Sequence, residues 1–312
     1  MTCKASLATL KFPTLSFKKP LSFFTRQLHI ISLMSGIFAK ITQPLREFVK
    51  RPPRWVYRVE KRYRFVISVV IMTFLMLFST FFFFDVAWLF IPLLVLTSYC
   101  LVFYSILEGV EGVEWVTLFL LPVMFTVAFY VFYFLFPIRW LTRIPFIAIY
   151  AVSFYALLLT SNIFNVGVEK NLQLYRAAFS VNYFYHTFLS FLFFNILFSL
   201  RLNFLTNGLG VGLMIFPLVL QFLWTIKLDL SLERQVLLHA GLVTLLMFQL
   251  GIIVSFIPFR ASIAALLLAA GYYSFTGLTT AYLDNRLFKN TIREYLFVLS
   301  FVLAIAGLTL NW

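Results

Sequence analysis

Two groups of polar side chains interrupt a chain that is otherwise apolar from Phe65 onward. In the stretch LEGVEGVEW, Glu108, Glu111 and Glu114 recur at every third position, with Gly109 and Gly112 between them. Three carboxylates held together would raise one another's pKa and attract a cation or a proton. On a helix, though, a step of three residues advances about 300°, so the three carboxylates spread over roughly 120° of arc instead of stacking, and glycine weakens the helix further. The expectation is therefore a hydrated turn that pairs loosely with neighbouring basic loops, and the sharper alternative is a cation or proton entry site.

The second group is VNYFYHTFLSFLFFN, where Asn182, His186 and Ser190 stand four residues apart with Tyr183 beside them. That spacing puts all three on one helical face. An imidazole inside hydrocarbon needs a partner, and such a strip suits proton transfer or the lining of a solute path. The plainer role is helix glue, each side chain bonding across to a neighbour for about 0.6 to 2 kcal/mol. His239 has no polar strip around it and reads as packing.

Two further stretches carry small residues. LTNGLGVGLMIF alternates Gly208, Gly210 and Gly212, without the strand, lysine and hydroxyl of a phosphate loop. Close helix packing is the expectation, and an unwound helix start near Thr206 and Asn207 is the alternative. AALLLAAGYYSFTGLTTAY sets Ala270, Ser274, Gly277 and Ala281 along one stripe, a pattern that lets helices approach closely.

The elements that must position these groups follow from composition. Of 312 residues, 62% are hydrophobic, 20% aromatic and 12% charged, against about 25% charged in an ordinary soluble domain. Apolar runs recur that are long enough to cross a hydrocarbon core of roughly 30 Å, and no short alternating segments of a transmembrane barrel are visible. The fold class is all-α, a multi-pass transmembrane helical bundle of about nine spans: 65–84, 86–106, 115–136, 145–165, 177–200, 204–226, 236–257, 262–282 and 295–311. The first pair, divided only by Asp85, would make a helix of about 63 Å if merged, roughly twice the membrane, so a tight hairpin is expected there. Pro92, Pro122 and Pro217 mark kinks.

Charge divides the chain into three parts: a basic tail (1–33), a basic juxtamembrane arm (34–64) and the transmembrane domain (65–312). Residues 1–64 hold 14 of the 25 lysines and arginines and two acids, Glu47 and Glu60. The tail lacks acids and resembles an organellar transit segment in composition, while Met34 offers a second start for translation. In the arm, Arg54, Arg58, Lys61 and Arg62 precede the first span with Trp55, Tyr57 and Tyr63 interleaved. Anionic lipid headgroups suit that collar better than nucleic acid, at about 1 kcal/mol per cation near the surface. With nine spans and a cytoplasmic N-terminus, inside loops carry seven cations (Lys170, Arg176, Lys227, Arg234, Arg286, Lys289, Arg293) and outside loops four (Arg139, Arg143, Arg201, Arg260), as the positive-inside rule requires.

Catalytic signatures of zinc and serine hydrolases are missing from the sequence, and Cys3 and Cys100 form neither a disulfide pattern nor a metal-ligand spacing. No metal or cofactor is expected. The expected function is non-enzymatic, small-solute transport or a scaffold for partner membrane proteins in a bacterial cytoplasmic membrane, or in an organellar membrane if residues 1–33 are a transit segment. The alternative is a membrane-embedded enzyme acting on lipid-linked substrates through Glu108, Glu111, Glu114 or Asp85.

Overall fold

The computed structural model describes residues 60–82, 84–106, 110, 112–136, 140–166, 173–228 and 232–309, with the backbone alone for 84–87. The described residues form nine α-helices and no strand: α1 Lys61–Ser79, α2 Phe84–Ile106, α3 Glu114–Tyr133, α4 Trp140–Val166, α5 Gln173–Ser199, α6 Phe204–Lys227, α7 Arg234–Ser255, α8 Ala261–Leu283 and α9 Lys289–Leu308. Each contains a segment long and apolar enough to cross a membrane. The expected spans are found one for one.

Their ends differ from the expected ones where charged residues flank the apolar runs. Helices α1, α4, α5 and α9 begin four to six residues earlier than expected, through Lys61, Trp140, Gln173 and Lys289. Backbone hydrogen bonding does not stop at a charged side chain, and long cationic stems lie along an apolar surface with their heads at its edge. Helix α1 closes early, at Ser79, where the Thr80 N–H reaches the carbonyls of Met76 and Leu77. Asp85, expected at the end of the first span, accordingly belongs to the first turn of α2. Ahead of α3, Gly112 takes the left-handed conformation at φ 55°, which glycine adopts without the penalty of a Cβ.

Side-chain hydrogen bonds fix the up-and-down order. Ser68 near the start of α1 meets Ser105 near the end of α2 at 2.8 Å. The Tyr175 hydroxyl at the start of α5 donates to the Thr225 carbonyl at the end of α6. At the opposite end of the bundle, Asn195 of α5 donates to Ser262 of α8, and Asn207 of α6 donates to Ser255 of α7. Successive helices therefore run antiparallel, and α1 and α9 begin at the same end.

Helices α1 to α4 pack on one another, α5 touches α3, α4, α6 and α8, and α9 packs along α8 alone among the stronger pairings. The core is aromatic: Phe125, Tyr150 and Phe154 stack in sequence, and the Thr126 and Tyr150 hydroxyls meet at 3.0 Å. Prolines 92, 122, 145 and 217 all lie inside helices. Helix α6 stays continuous past Gly208, Gly210 and Gly212, so packing and not unwinding is their role. A Cβ on Gly208 would stand 2.6 Å from Ile252 of α7, and one on Gly210 would stand 2.8 Å from Leu197 of α5.

Candidate functional site

Helix α5 is the natural place for a site because neighbours cover it on several sides, and its polar strip points inward. Asn182, His186 and Ser190 are all buried, His186 completely. His186 is the central residue of the 27 in α5, about 20 Å along the axis from either end. Across from it, Tyr272 near the middle of α8 brings its hydroxyl to 3.3 Å from the imidazole Nδ1. On the other side the Phe222 ring of α6 lies 5.2 Å away, centroid to centroid.

One nitrogen of the imidazole is thus occupied, and the other is free. His186 Nε2 meets no hydrogen-bond partner among the described residues, and the same is true of Asn182 Nδ2, one turn away. A third such atom, Gln221 Oε1, belongs to the buried residue just before Phe222 on α6. Ser190 differs: its hydroxyl donates to the Thr187 carbonyl at 2.7 Å within its own helix. Asn182 and His186 therefore carry unused hydrogen-bonding capacity, and Ser190 closes the strip.

Unpaired buried amide and imidazole groups cost about 1–3 kcal/mol each. In its neutral form the imidazole offers Nε2 as an acceptor when Nδ1 donates to Tyr272, and as a donor when the tyrosine hydroxyl donates instead. The arrangement can accept, donate or relay a proton, and Asn182 adds a donor at the next turn.

Aromatic and small residues wall the strip. Tyr183 donates its hydroxyl hydrogen to the Tyr273 carbonyl at 2.5 Å while its ring stacks on Phe222 and Tyr273. Gly277 leaves the room for this: a Cβ there would stand 2.5 Å from the Tyr183 hydroxyl and would collide with the Tyr295 ring of α9. A groove of about 420 Å³ lies on a different face of α5, against α8 and α9, lined by Phe184, Thr187, Phe188, Leu266, Tyr273 and Val302 and by none of the strip residues. His239 lies elsewhere, half-buried in a separate groove, with Nδ1 2.7 Å from the Gln235 carbonyl oxygen.

Of the acidic stretch expected as a wet turn, only Glu114 is among the described glutamates. Glu108 and Glu111 lie outside the described residues, whereas Glu114 is the first residue of α3 and is buried. Beginning the helix there puts a carboxylate in the first turn, where the exposed N–H groups favour negative charge. Arg54 and Arg58 also lie outside the described residues; Lys61 and Arg62 open α1, with Arg62 exposed. Among the described residues no three His, Cys, Asp or Glu side chains gather as a metal site would require.

Gln221 and Tyr272 were not singled out by sequence reasoning, because a lone glutamine or tyrosine in a span has no periodic signal. Arg143 was assigned to a loop and is instead a buried residue of α4. Its neighbour Trp140 was the available clue.

No protein-family model, curated protein or solved structure matches this chain.

Proposed function

We propose that this chain is a multi-pass integral membrane protein that moves a small polar solute across the bilayer in a proton-linked manner, with Asn182 and His186 as its midplane contact. The observation that carries the reading is the free Nε2 of His186, fully buried at the centre of the central helix. Ionisable groups at that depth are costly and commonly mark solute or proton pathways.

The same reading places the N-terminus in the cytoplasm and the C-terminus on the other side, because the cations gather at the end where α1 begins. The basic collar from Arg54 to Arg62 then sits against anionic headgroups of the cytoplasmic leaflet.

A scaffold for partner membrane proteins is the second reading. Helix α9 favours it, since Ala306 is its one buried residue and its outward face is apolar.

The test uses purified protein in liposomes loaded with a pH-reporting dye, challenged in turn with amino acids, sugars and inorganic cations. One solute class should speed the internal pH change above that of protein-free liposomes, and His186→Ala should abolish the gain. If no solute speeds it in the wild type, the transport reading falls and the scaffold stands.

A further inference from the structure

The stretch PIRWLTRI joins α3 to α4, and Arg143 in it lies in the first turn of α4. The side chain is 7% exposed. Its Nε donates to the Tyr133 hydroxyl at 3.1 Å, and its Nη2 donates to the Thr80 carbonyl at 3.1 Å. Its central carbon lies 4.4 Å from the centre of the Phe81 ring and 5.0 Å from that of Trp140.

Among the described residues every one of these partners is neutral. Of the five N–H groups of a guanidinium, two are used by those residues, which offer the positive charge a hydroxyl, a carbonyl and two ring faces. A buried cation is stabilised far better by an anion than by dipoles alone, and the planar fork of arginine matches the oxygens of a phosphate. Tyr133 and Thr80 hold the guanidinium at Nε and Nη2, so the side chain is oriented in advance and Nη1 carries N–H groups that these two bonds leave unused.

The surroundings say where such an anion would come from. Trp140, Leu141 and Ile144, next to the arginine in the first turns of α4, are largely exposed, and Phe81, Leu135 and Phe136, which adjoin its partners in the chain, are partly so. An apolar rim around a fixed cation at the end of a membrane-crossing bundle suits a molecule with hydrocarbon chains and a charged head.

We propose that Arg143 anchors a site for a phosphate group at this rim, and that the phosphate belongs to a membrane lipid headgroup. The proposal rests on membrane insertion and is independent of transport through His186.

The full-length protein, purified in detergent, is titrated with dioleoyl phosphatidic acid and with dioleoylglycerol, which differ only in the phosphate, and bound lipid is counted by native mass spectrometry. The phosphate lipid should bind at least about tenfold more tightly, the worth of a charge-assisted hydrogen bond pair. Arg143→Gln should remove that preference, and Arg143→Lys should retain part of it, keeping charge without the fork. Arg260→Gln, an exposed cation at the same end of the bundle, should leave it unchanged. Equal affinity of the wild type for both lipids overturns the proposal whatever the variants do. Displacement of the lipid by millimolar inorganic phosphate assigns the site to the free ion and overturns the lipid source.

Discussion

Gly277 on α8 and Tyr183 on α5 occupy what would be one volume: a Cβ on the glycine would stand 2.5 Å from the tyrosine hydroxyl, which is itself bonded to the Tyr273 carbonyl. Tyr183 cannot swing away freely because Phe222 and Tyr273 hold its ring from two sides. Gly277→Ala should therefore destabilise the protein by about 1–3 kcal/mol, as overpacking does. Gly241→Ala is the contrast, since nothing stands within 4 Å of its added carbon. It should be neutral or stabilising by up to about 1 kcal/mol through helix propensity. Thermal unfolding in detergent distinguishes the two.

His186 and Tyr272 separate function from stability. His186→Leu alone leaves the buried tyrosine hydroxyl without its partner and should cost about 1–3 kcal/mol. Adding Tyr272→Phe removes that orphan, so the double variant should return to within about 1 kcal/mol of the wild type while remaining inactive in liposomes. His239→Ala, on a half-buried residue bonded within its own helix, should change neither measurement appreciably. A double variant that stays strongly destabilised would assign the strip to helix glue.

Orientation is tested by reporters. One fused after Trp312 should report the extracytoplasmic side and one at Met34 the cytoplasm. Changing Arg54, Arg58, Lys61 and Arg62 together to Gln should weaken this preference. An unchanged topology would mean that the later loops suffice and that the collar has a different purpose.

The nine helices could be read in the sequence because hydrocarbon-length apolar runs report themselves, and the Asn182–His186 spacing reports a shared face. Burial of that face also follows, since a polar strip among phenylalanines has nowhere else to go. The partners do not follow: Tyr272 lies 86 residues away in the chain, and only the packing of α5 on α8 brings the two together. Helix ends were misplaced wherever a cation was taken for a loop residue, and Arg143 was hidden by that assumption. Glu114 was drawn into the turn by its two neighbours in the glycine pattern, although it begins α3.

The central claim is that polar access reaches the middle of α5, and cysteine reactivity tests it without knowledge of the solute. In a background with Cys3→Ser and Cys100→Ser, Asn182→Cys and Leu94→Cys, the latter on α2 away from α5, are each exposed, in sealed membranes, to a charged, membrane-impermeant thiol reagent. Both positions are buried to the same degree, so packing alone predicts equal inertness. A solute path along the strip predicts labelling at position 182 from at least one side of the membrane and none at position 94. If both cysteines stay unlabelled from either side, the strip is sealed and the transport account is wrong.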